Sequence, residues 1–180
     1  MDIQTVYQNT LKFASQKHTA QGQTITDSKL PYTVHICNVT MELFIAAYST
    51  DFNTALAVQV GLLHDTLEDT DTTFDELLNT FGSEVAQGVL ALTKNLNLPK
   101  ETQMMDSLQR IKQCSKEIWA VKLADRITNL QIPPQSWTDE KKEKYWHEAK
   151  IILNILQGGN SYLENRLANK IIAYQAYFMN

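Results

Sequence analysis

Cysteine is scarce in this chain of 180 residues: there are two, Cys37 and Cys114, each inside an apolar stretch of helical period. Two such thiols make no disulfide framework, so they are expected free and buried, in a reducing compartment. Proline (four) and glycine (six) are also sparse, which leaves little punctuation between periodic segments. No apolar run reaches the roughly 18 residues of a membrane span. The opening Met1-Asp2-Ile3-Gln4 has neither a basic start nor an apolar stretch behind it, so no secretory signal is read. A basic excess is missing as well. Lys and Arg number 16 against 20 Asp and Glu, and the net charge is -4, which argues against a nucleic-acid partner. What is present is an ordinary globular composition with 43% hydrophobic residues. One domain over 1–180 with a real core is expected, in the cytoplasm.

The periodic segments read as helices. They cover 3–18, 31–48, 53–64, 74–80, 83–93, 99–113, 115–131 and 138–156, with a last one from 161. Pro31 and Pro99 suit first turns. Asp51 or Asn53, Ser115 and Thr138 suit N-caps, and Thr73 with Glu76 and Ser161 with Glu164 suit capping boxes. The polar stretch 19–30 reads as a loop. No alternating β-branched stretch occurs, so the fold class is all-α, a single helical bundle of about eight to nine helices.

Three segments carry chemistry. The run from Ala55 to Leu63 is apolar nearly all round, so its helix is central and buried. It delivers His64-Asp65 and then Glu68-Asp69. An imidazole and carboxylates at the end of a buried helix are costly unless compensated, and a divalent cation compensates them. His35 lies in the second apolar helix. In the segment 118–130, Ile118, Val121, Ala124, Ile127 and Leu130 form a core stripe, while Lys122, Asp125, Arg126 and Asn129 recur at another helical spacing. His35, His64, Asp65 and Asp125 together make a mixed nitrogen and oxygen set that suits one divalent transition metal such as Mn²⁺, Fe²⁺, Co²⁺ or Zn²⁺. Four protein ligands leave open positions for water and a phosphoryl oxygen, and Glu68 or Asp69 can act as general base. P-loop, dinucleotide-fold and nucleophile-elbow motifs are lacking. His18 and His147 are expected as surface or helix-packing histidines, and Trp119, Trp137 and Trp146 as core anchors.

These residues resemble a known family. His35, His64-Asp65 and Asp125 on successive helices are the pattern of the HD-domain metal-dependent phosphohydrolases. Pro31-Tyr32-x-x-His35, Leu62-Leu63-His64-Asp65-Thr66-x-Glu68-Asp69-Thr70 and Lys122-Leu123-Ala124-Asp125-Arg126-x-x-Asn129-Leu130 resemble the hydrolase domain of RelA/SpoT proteins. The chain is similar to the small single-domain alarmone hydrolases, including the metazoan SpoT-like enzymes. That resemblance implies removal of the 3′-pyrophosphate of (p)ppGpp, giving GDP or GTP and pyrophosphate, with Mn²⁺ as the cofactor. It implies His35, His64, Asp65 and Asp125 as metal ligands and Glu68 and Asp69 as the pair that activates water. Asn129 and Tyr145 then line the nucleotide pocket, with Lys122 and Arg126 beside them.

Some positions depart from the family. Its loop before the second helix usually carries an Arg that packs on the guanine. Here the loop reads Gly22-Gln23-Thr24-Ile25-Thr26-Asp27-Ser28-Lys29, with Ile25 about where the Arg would stand and Lys29 as the cation left for substrate binding. The stretch 101–106 is poorer in Lys and Arg than in the relatives. Two other readings stay open: a nucleotidase or NADPH-type phosphatase on the same metal site, and a non-catalytic nucleotide-binding scaffold.

Overall fold

Several helices begin where a polar side chain takes up a free backbone N–H group of the first turn. In the computed structural model, which describes residues 1–49 and 51–179, Asp2 caps α1 (Ile3–Ala20) by accepting from the Thr5 N–H. Asn53 does the same for α3 (Thr54–Leu63), as does Thr73 for α5 (Phe74–Phe81). The remaining long helices are α2 (Thr33–Ala47), α6 (Ser83–Leu92), α7 (Lys100–Lys112), α8 (Lys116–Asn129), α9 (Asp139–Ile155) and α10 (Ser161–Tyr174). The described residues contain no strand, only an isolated bridge between Thr24 and Pro31. The architecture is all-α, as the pattern predicts.

Several details differ from the sequence reading: Pro31 and Pro99 precede α2 and α7 instead of opening their first turns, and Cys37 and Cys114 are free but only half-buried. A short helix, α4 (Thr66–Asp69), follows His64-Asp65, so the acidic pair sits on a helical turn. Asn160 rather than Ser161 caps α10, and Glu164 accepts from the N–H groups of both Gly158 and Asn160.

The centre of the bundle is α3, which packs on α1, α2, α6 and α8. Val58, Val60, Leu62 and Leu63 are fully buried, each contributing roughly 1.5–3 kcal/mol relative to exposure. That gain holds the far end of the helix inside the protein, where His64 is 4% exposed. Space is tight at Gly61, where a Cβ would meet Leu43 Cδ1 of α2 at 2.6 Å. The missing side chain lets α2 and α3 approach closely, and this brings His35 and His64 to one place.

Candidate metal centre

Three buried side chains from three helices converge: His35 of α2, His64 at the end of α3 and Asp125 of α8. The two histidine Nε2 atoms are 3.4 Å apart, and they lie 3.6 and 3.8 Å from Asp125 Oδ1. A point equidistant from three atoms at these separations lies about 2.1 Å from each, the length of a bond from a transition metal to nitrogen or oxygen. The donor set and its spacing therefore fit one divalent ion. Asp65 joins on one side, its Oδ2 at 2.9 Å from His64 Nε2 and 3.9 Å from His35 Nε2.

The surrounding groups orient these donors. His64 Nδ1 donates to the Gly61 carbonyl at 2.8 Å, which turns Nε2 toward the cluster. Lys122 Nζ is 3.0 Å from Asp125 Oδ2, and the Asn129 amide donates to Asp125 Oδ1. Tyr32 donates its hydroxyl to Asp65, and its ring packs 5.0 Å from that of His35. Burial pushes the His64 imidazole down, but the charges of Asp65 and Asp125 outweigh it and hold its pKa up at about 9. Burial pushes the Asp65 and Asp125 carboxyls up. The His64 charge overcomes this for Asp65 and the Lys122 charge, with the histidines, for Asp125, so both lie below the usual carboxylate range. Without an ion the cluster thus keeps a proton on His64, and a metal replaces that proton.

Glu68 and Asp69 stand at the edge of this cluster, on α4. Glu68 is engaged by Lys94: the ammonium is 2.5 Å from Oε1 and the Lys94 backbone N–H donates to Oε2 at 3.2 Å. Asp69 is exposed at its solvent side. Partial desolvation, then the charges of Asp65 and Glu68, raise its carboxyl pKa, and the nearby Gln23 side chain offsets part of that rise. Gln23 Oε1 also meets His18 Nδ1. His18, 1% exposed, lies with its ring 4.8 Å from that of Tyr32. It packs within the helices, as one of the two expected roles has it, and beside the metal cluster.

The proposed substrate residues separate. Tyr145 packs on Arg126, the neighbour of Asp125 in α8, with Trp137 edge-on to its ring at 4.9 Å. Arg126 is 6% exposed, stacks 4.0 Å from the Tyr145 ring and pairs with Glu148 at 3.5 Å. Its contacts are thus with α9, while Lys122 and Asn129 touch Asp125. Lys29 is exposed on its loop and Ile25 is half-buried. Asp27 Oδ2 accepts from the Ser136 N–H at 3.0 Å, tying that loop to the segment bearing Trp137. Trp119 and Trp146 anchor packing through N–H bonds to the carbonyls of Cys114 and Ile171, whereas Trp137 stands beside Tyr145.

Tyr32, Gln23 and Lys94 are site residues that sequence reasoning did not single out. Tyr32 left a signal, three positions before His35 within the quoted motif. Lys94 left none, because its partner is 26 positions away.

Comparisons with known proteins give the chain's family. The family model described as HD domain matches residues 10–156. The guanosine-3′,5′-bis(diphosphate) 3′-pyrophosphohydrolase MESH1 of Danio rerio is 34% identical over 162 residues, 88% of either chain. MESH1 of Homo sapiens is 34% identical over 159 residues, 86% of this chain and 87% of its own. A solved structure described as a metazoan orthologue of SpoT that hydrolyses ppGpp superposes with a TM-score of 0.81 at 29% identity, covering 96% of each chain. The chain belongs to the HD-domain family and is homologous to the MESH1 proteins along most of its length.

Proposed function

We propose that this protein is a metal-dependent phosphohydrolase that removes the 3′-pyrophosphate of (p)ppGpp-like nucleotides, giving GDP or GTP and pyrophosphate, with Mn²⁺ as its ion and the cytoplasm as its place of work. The observation that carries the reading is the convergence of two imidazole nitrogens and a carboxylate oxygen on one point, with an acidic pair at its edge. The names of the MESH1 relatives support the choice of substrate.

His35, His64, Asp125 and Asp65 would hold the ion. A bound divalent ion supplies Lewis acidity toward a phosphoryl oxygen and makes a nucleophilic water available near neutral pH. The chain's own residues do the rest. Asp69 takes the proton of the attacking water, for which its raised pKa and its exposed position suit it. Glu68 stands beside it with both oxygens engaged by Lys94. Lys122 and Asn129 fix Asp125, and Tyr32 fixes Asp65, so that the donors need no rearrangement. Tyr145 offers an aromatic wall to the nucleotide, supported from beneath by Arg126.

The test is a product assay on purified protein with Mn²⁺ and a nucleotide panel that includes ppGpp. Pyrophosphate and GDP in equal amounts, lost on chelation, are expected. Inorganic phosphate from another nucleotide, with none of these products from ppGpp, would replace this reading with the phosphatase one.

A further inference from the structure

The carboxylates at the site create a charge problem. Asp65, Glu68, Asp69 and Asp125 cluster there, while a nucleotide arriving with two diphosphate groups adds several more negative charges. One divalent ion does not balance both. A cation must meet the phosphates, and the described cations differ in whether they can. Lys122 is held on Asp125 with its side chain 18% exposed. Arg126 is buried against Tyr145 and Glu148. Lys17 is drawn to Asp71 and Glu76. Lys29 is out on the exposed part of the loop.

Lys94 is different in each respect. It stands just past the Thr93 C-cap of α6, and its ammonium is anchored on Glu68 beside the metal cluster. Its side chain is half exposed, at 51%, and so is free to turn. An ion pair open to solvent is weak, so phosphate oxygens of higher charge compete for the ammonium on favourable terms. Glu68 does not lose its place in that exchange, because the Lys94 backbone N–H still holds Oε2.

We propose that Lys94 is the cation that receives the pyrophosphate of the substrate, with Glu68 as the residue that positions it beforehand. The proposal rests on the hydrolase reading and deepens it. It also divides the acidic pair: Glu68 orients Lys94, and Asp69 is left to take the proton.

The experiment uses the full chain loaded with Mn²⁺. Calorimetry measures the Kd for inorganic pyrophosphate, and steady-state assays measure KM and kcat on ppGpp, for the wild type, K94M, K94Q and K94R. K94M and K94Q are expected to raise both Kd and KM by about tenfold or more, the usual scale for one charge-assisted contact, with the larger change in KM. K94R, which keeps the charge, should stay within about threefold of the wild type. Metal content should be unaltered, since Lys94 touches no ligand of the ion. Values for K94M and K94Q within twofold of the wild type would overturn the proposal, as would a K94R as weak as K94M. Pyrophosphate binding needs no turnover. A wild type that binds it through Lys94 but releases none from ppGpp would remove the hydrolase reading and keep the site. Turnover of ppGpp indifferent to Lys94 would do the reverse.

Discussion

Replacing Tyr32 by Phe tests how far the metal centre depends on the groups behind it. The substitution keeps the ring that packs on His18 and His35 and deletes one hydroxyl, the donor to Asp65. A hydrogen bond to an ionised partner contributes about 1.5–3 kcal/mol net. Losing it should lower the melting temperature of the metal-free protein by roughly 3–12 °C, given about 2–4 °C per kcal/mol at this chain length. Asp65 would also be freer to rotate away from His64, now 2.9 Å from it. Loss of such an orienting partner weakens metal affinity by about 10–100-fold, or roughly 1.4–2.7 kcal/mol. Titration calorimetry with Mn²⁺ at fixed pH measures the second effect and scanning calorimetry the first. Tyr7→Phe is the control, because that hydroxyl meets Cys37 and lies away from the cluster. An Mn²⁺ affinity within twofold of the wild type in Tyr32→Phe, at unchanged stability, would refute the claim that Tyr32 orients a ligand.

Four further outcomes are expected. In the metal-free protein His64 has a pKa raised from 6.5 to about 9, so its ion pairs stabilise fully below 6.5 and fade as the pH rises through 9. The apoprotein should melt earlier at pH 9.5 than at pH 6, and Mn²⁺ affinity should climb about tenfold per pH unit below 9 as that proton is displaced; a flat profile would show that His64 is neutral. Asp125→Ala should strip the metal and the activity together, whereas elemental analysis showing full occupancy would exclude Asp125 as a ligand. Asp69→Asn should cut turnover by about a hundredfold or more with metal retained, on the scale of general-base loss, and Glu68→Gln should act more on KM; equal wild-type rates in both would make the pair structural. The loop offers no guanidinium to a base, so ppGpp and its adenine counterpart should differ by less than about tenfold, and Ile25→Arg should raise the preference for guanine. Strong guanine preference in the wild type would show that another side chain reads the base.

Much of this could be read along the chain because it is local. Helix period and capping chemistry act over three or four residues, which is why Asn53, Thr73 and Thr138 cap where the pattern places them. The apolar run of α3 is long enough to demand burial, so an imidazole and carboxylate at its end announce a compensated site whatever the packing. Other features turn on angles and distances that no local pattern contains. Consecutive helical residues point about 100° apart, so Asp125 faces the metal cluster while Arg126 stacks on Tyr145. The helical spacing between Lys122 and Arg126 put both on one face only approximately. Lys94 meets Glu68 because α6 packs beside α4, and Gln23 comes near Asp69 because α1, which it follows, packs on α4. Residue type and spacing along the chain thus determined the helices and the donors for a metal. The division of labour among the charged groups around those donors came from the packing of α4, α6, α8 and α9, since Coulomb and hydrogen-bond energies depend on separation in space.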